Sequence, residues 1–151
     1  MSKADPFINA LLGKRVTQAW SGYGSALFVE FGKFTPLEIR KGEPINHLTG
    51  KLTLMIEWSW RIEGRQSILG GSWSSQTGWP ALFKRLIGCE VIGVEIFGPL
   101  PEIAVSLSNG LRVVSFMTAK GQPEWAIIAR QPQLGHLCVK KGKLHVEIPR
   151  S

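Results

Sequence analysis

Lys51-Leu52-Thr53-Leu54-Met55-Ile56-Glu57-Trp58-Ser59-Trp60-Arg61-Ile62-Glu63 alternates between apolar and mostly polar residues along its whole length. As one extended strand it places Leu52, Leu54, Ile56, Trp58, Trp60 and Ile62 on one face. Lys51, Thr53, Met55, Glu57, Ser59, Arg61 and Glu63 take the other. The expectation is an antiparallel sheet with one face in a core, holding Trp58 and Trp60, and one face in water. A shorter version of the same phase appears at Glu124-Trp125-Ala126-Ile127-Ile128-Ala129, where Trp125, Ile127 and Ala129 point inward.

Outward from this stretch the period of two recurs. Leu27, Val29 and Phe31 alternate with Phe28 and Glu30, and Ile103, Val105 and Leu107 alternate with Ala104, Ser106 and Ser108. Asn109-Gly110 marks a hairpin. A loop of Ser108-Asn109-Gly110 sets Leu107 against Leu111 and Val105 against Val113, whereas a two-residue loop would oppose Leu107 to Arg112, so register favours the longer turn. Leu137-Val139 and Leu144-Val146-Ile148 flank Lys141-Gly142 as a final hairpin.

Ahead of the strands stand two short helical segments. Asp5 is a candidate N-cap with Pro6 at the first helical position, Gly13 is a terminator, and Phe7, Ile8, Leu11 and Leu12 form the expected apolar stripe. Trp79-Pro80 to Gly88 writes the same sentence, with Lys84 and Arg85 in its last turn. Pro6, Leu11-Leu12-Gly13 and Val16 are thus answered by Pro80, Leu86-Ile87-Gly88 and Val91. The fold class expected is α+β, mainly β: antiparallel sheets in a sandwich or open barrel, with two short helices. One domain spans residues 1–151. Within it, structural repeats over 5–63 and 79–129 suggest a pseudo-twofold duplication, followed by a basic hairpin at 134–149. Arg40 to Gly50 and Gly64 to Gly78 read as loops, although Ser67-Ile68-Leu69 could begin a short strand.

At 151 residues, 44% apolar and with six Trp and seven Phe, the chain can bury a core without a disulfide or structural metal. No apolar run approaches the ~18 residues of a membrane span. Asp5-Pro6 breaks any secretory pattern, which makes a cytoplasmic location the default expectation. Cys89 and Cys138 read as small buried hydrophobes. The net charge of +7 is uneven: residues 130–151 hold five basic side chains and one acid, and residues 1–129 hold thirteen and ten.

Catalytic chemistry finds little to work with. Asp5 is the only aspartate, which leaves no Ser-His-Asp arrangement. Gly22-Tyr23-Gly24 lacks the third glycine and following helix of a dinucleotide fingerprint, and Gly70-Gly71-Ser72-Trp73 lacks the later glycine of a nucleophile elbow, so no cofactor is expected. Glu57 and Glu124 hold matching places and could form an acid/base pair, or each could point outward simply because the following Trp points inward. Arg61 shares a strand face with Glu57. His136, Cys138, His145 and Glu147 would share one face of a hairpin with an even loop, a thiolate, imidazole and carboxylate set for zinc, but a three-residue loop would separate them. His47 has no recognisable partner.

Binding surfaces carry more of the reading. Trp73, Ser74 and Trp79 offer rings among small hydroxyls, suited to a peptide or small ligand unless Trp79 anchors the helix and Trp73 covers a sheet edge. The first expectation is a non-enzymatic protein- or ligand-binding domain using Trp73, Ser74 and Trp79, with Glu57, Arg61 and Glu124 as further candidates. The second is polyanion or nucleic-acid binding through Arg130, Lys140, Lys141 and Lys143, with Arg150 beyond them. A carboxylate-dependent enzyme comes third. No membrane partner is expected.

Overall fold

The computed structural model describes residues 2–22, 24–33, 49–119, 124–130 and 134–148. Helix α1, Asp5–Leu11, leads into β1, Val16–Ser21, β2, Leu27–Phe31, and β3, Leu52–Ile56. β4, Trp60–Glu63, and β5, Ile68–Gly71, follow. A short 3-10 turn, Gln76–Gly78, then runs into helix α2, Trp79–Lys84. The second half contains β6, Val91–Phe97, β7, Glu102–Leu107, β8, Arg112–Ser115, β9, Trp125–Ala129, β10, His136–Lys140, and β11, Lys143–Glu147. Two antiparallel sheets result, ordered β1-β2-β3-β9-β10-β11 and β5-β4-β8-β7-β6. One cluster of buried side chains drawn from both sheets and both helices forms the core.

The stretch Lys51–Glu63 is two strands rather than one. Leu52, Leu54 and Ile56 face the core from one sheet, and Trp60 and Ile62 face it from the other. Between them the backbone turns at Trp58, whose φ is +69°, and the Ser59 N–H donates to Glu57 O at 2.9 Å. Trp58 is consequently 50% exposed, which corrects its expected place in the core. The chain crosses back between β8 and β9, so each sheet combines three strands of one half with strands of the other. After each crossing the first residue is a buried tryptophan whose indole N–H is satisfied: Trp60 donates to Ser25 O at 2.6 Å and Trp125 to Pro101 O at 2.9 Å. Those bonds remove the cost of burying the N–H while each ring contributes its large apolar area.

The two halves also exchange hydrogen bonds reciprocally. Arg15 and Glu90 form an antiparallel bridge. Around it Gly13 N–H donates to Val91 O and Gly88 N–H to Val16 O; Val16 N–H donates to Cys89 O and Val91 N–H to Lys14 O. β1 and β6 carry matching bulges, after Val16 and after Val91. Gly13 and Gly88, at φ +83° and +86°, end the two helical segments in the left-handed conformation that glycine adopts without strain. α1 packs against β6 and α2 against β1, each helix covering the first strand of the other half.

Local details depart from expectation where packing overrides pattern. Ala4, not Asp5, is the N-cap of α1, and the Asp5 carboxylate accepts the Ser2 N–H at 3.0 Å. Phe7 and Leu11 are buried, but Leu12 is 41% exposed. Much of the Gly64–Gly78 segment is ordered, as β5 and the 3-10 turn. Val105 opposes Val113, and Leu107 N–H donates to Leu111 O, so the three-residue loop ending at Gly110 is present. Both cysteines are free. Among the described residues no helix is long and apolar enough to cross a membrane. His47, Arg150 and most of the Arg40–Gly50 loop lie outside the described residues.

Candidate functional site

The turn after β5 divides the aromatic candidates. Gly71 lies so close to β4 that a Cβ there would sit 2.6 Å from Trp60 O. Ser72 Oγ accepts the Trp60 N–H at 3.1 Å, tying the turn to that strand. Ser74 Oγ accepts the Gly71 N–H at 3.0 Å and donates to Gly71 O at 2.8 Å. Ser74 therefore braces the turn. Trp79 turns inward, 4% exposed, with its ring centroid 5.2 Å from that of Trp60 and its N–H donated to Gly71 O. It belongs to the core. Trp73, at the apex, is 76% exposed.

The acidic candidates meet through their backbones. Glu57 N–H donates to Glu124 O at 3.1 Å, extending the β3–β9 pairing by one residue. Glu57 lines a small cavity of 130 Å³ with Ser25, Phe28 and Trp58. Burial raises the Glu124 carboxyl above its ordinary pKa, and the charge of Glu102 adds to this. Glu102, which no sequence signal marks, is itself anchored, accepting from Ser115 Oγ at 2.8 Å and Met117 N–H at 2.6 Å. The carboxyl that acts electrostatically on Glu124 is thus Glu102. Arg61 lies beyond the break at Trp58. Its Nε donates to Glu63 at 2.8 Å and its guanidinium stands 5.4 Å from the Phe116 ring centroid.

The basic residues are partly committed. Arg130 donates to Gly50 O at 3.1 Å and Thr53 Oγ1 at 2.7 Å, and lies 4.0 Å from the fully buried Glu30. Burial lowers its pKa, and the Glu30 charge acts in the opposite direction. Lys140 pairs with Glu147. Lys141, at φ +51°, and Gly142, at +74°, make a two-residue turn, so the even loop is present: His136 opposes Glu147 and Cys138 opposes His145. Even so, among the described residues no three His, Cys, Asp or Glu side chains gather to hold a metal. Lys143 lines a groove of 650 Å³ between α1, the β6–β7 turn and the β10–β11 turn, together with Lys3, Asp5 and Ile8.

No protein-family model, curated protein or solved structure matches this chain.

Proposed function

We propose that the chain is a non-enzymatic binding protein that engages a protein partner through Trp73. The observation that carries this reading is an indole left 76% exposed at the apex of a turn braced by Ser72 and Ser74. Folding gains little from an indole left in water. A partner pocket would gain the ring's area at low entropic cost, because the backbone that presents it is already ordered. Ser74 and Trp79 hold the presenting turn.

Affinity capture from native lysate with wild type and Trp73→Ala tests the reading. The variant is expected to melt within ~1 °C of wild type, since an exposed side chain contributes little to stability, and to lose at least one protein retained by wild type. Retention of every captured protein by a folded Trp73→Ala chain overturns it. The polyanion reading has weaker support, because Arg130 faces Glu30 and Lys140 pairs with Glu147, leaving Lys141 and Lys143 as its main cations. The enzymatic reading rests on Glu124 and Glu102; Glu57 bonds Glu124 through the backbone, and Arg61 pairs with Glu63.

A further inference from the structure

Strand β11 is the outer strand of the six-stranded sheet, and among the described residues nothing pairs with its far edge. The other edges differ. β1 and β6 are joined by the Arg15–Glu90 bridge that immediately precedes both, and β5 has four residues, two of them glycine, although Ile68 on β5 and Ile92 on β6 are also exposed. β11 has no such bridge among the described residues, and it presents Val146 at 39% and Ile148, just beyond it, at 65% exposure. Leu100, 73% exposed, lies beside its turn, with Cδ2 3.1 Å from where a Gly142 Cβ would stand. Uncovered apolar residues along an unpaired edge invite another strand.

We propose that β11 pairs antiparallel with β11 of a second copy of this chain, centred on His145. The strand's own order selects that occupant. Centring on His145 sets Lys143 against Glu147 of the second copy, Leu144 against its Val146 and His145 against its His145. A cation thus meets an anion twice, and apolar meets apolar twice. Backbone geometry agrees: the tight turn makes Lys140 and Lys143 a hydrogen-bonded pair, so Leu144 and Val146 direct their N–H and C=O groups away from β10. In this register Leu144 and Val146 of the two copies exchange those bonds. Ile148 comes to lie over Gly142 of the second copy, next to its Leu100, which covers the three exposed apolar residues together. An unrelated strand would have no reason to match the Lys143-x-His145-x-Glu147 order, whereas a second copy matches it by symmetry. So short an interface lies at the small end of protein contacts, and the dimer is expected to be concentration-dependent.

Sedimentation velocity of the full chain at low salt, over a concentration series, tests this. Wild type should dimerise as concentration rises, while Lys143→Glu and Glu147→Lys should each remain monomeric, because each variant places like charges opposite one another at both ends of the interface. An equimolar mixture of the two variants should form a heterodimer, because each end of the mixed interface then sets a carboxylate of the first variant against an ammonium of the second. Circular dichroism on each variant confirms the fold. Wild type that stays monomeric at the highest concentration, single variants that still dimerise, or a mixture that stays monomeric where wild type is dimeric would each overturn the proposal. None of these outcomes depends on Trp73.

Discussion

The outer faces of the two sheets use similar residue types in different surroundings. On the five-stranded sheet Arg61 and Arg112 reach Glu63 at 2.8 and 3.1 Å, and Arg112 also approaches Glu95 at 3.8 Å. Both arginines are more than a third exposed, so water screens the ladder. On the six-stranded sheet a cross-strand row runs Gln18, Glu30, Thr53, Ile128, His136, Glu147. Here Glu30 is fully buried and Thr53 nearly so. Its carboxylate accepts from the Trp20 indole at 2.9 Å, from Gly50 N–H at 3.1 Å and from the Thr53 hydroxyl, which in turn accepts from Arg130. An Arg-Glu pairing in sequence thus says little about energy. Access to water sets how much each partner matters.

Glu30→Ala is expected to have the largest effect. It strips the partner from the Trp20 N–H, the Gly50 N–H, the Thr53 hydroxyl and the partly buried Arg130 at once. Removing one member of a buried ion pair typically costs about 3–5 kcal/mol, because the groups left behind remain desolvated. Urea denaturation should show a loss of that size, with Glu30→Gln losing less because its amide oxygen still accepts. A loss under ~1 kcal/mol for Glu30→Ala would remove the distinction between the faces.

How far the sequence discloses this arrangement varies residue by residue. Alternation in Leu52–Ile62 correctly marks five of its six inward positions, because a period of two reports which side of a strand a residue occupies. It does not report which sheet the strand joins, so the crossing at Trp58 is invisible to it. Nor does it report whether the opposite side meets water: Glu30 alternates like any wet residue, yet is buried. The Ser108-Asn109-Gly110 register is legible because one glycine in the left-handed region fixes the loop length. In the candidate site, Trp73 and Trp79 look alike in sequence. Their fates part only because helix α2 starts at Trp79 and carries that ring into the core. Glu102 carries no local signal, since its charge acts on Glu124 across space from a segment distant in sequence.

On the exposed ladder, Glu63→Ala tests the other side of the comparison. Glu63 accepts from both arginines and its side chain is 18% exposed, so the expected loss is about 1 kcal/mol, several-fold below Glu30→Ala. Raising salt from 0.05 to about 1 M should shrink that loss, because the Debye length contracts to a few ångströms. The loss from Glu30→Ala should change much less under the same conditions, since the Glu30 carboxylate is fully buried. Equal salt dependence in the two variants would contradict the assignment of one face to water and the other to the interior.

A smaller effect is expected at His136, at the far end of the buried row. Burial lowers the His136 pKa, and the positive charge of Arg130 lowers it further. The groups facing it across the neighbouring strands are Ile128 on β9 and Glu147 on β11. A histidine whose folded pKa lies below its unfolded value of about 6.5 binds protons more readily when unfolded. Its contribution is therefore intact above about pH 6.5 and is lost as pH falls from there through the folded pKa. Between pH 7 and 5 the melting temperature of wild type should fall by ~2 °C more than that of His136→Gln, which has no proton to gain. The groups around it predict how the slope responds: replacing Glu147 with Gln removes a nearby anion that favours the imidazolium, and should steepen it. Parallel pH profiles for wild type and His136→Gln would show that the influence of the buried row stops short of β10.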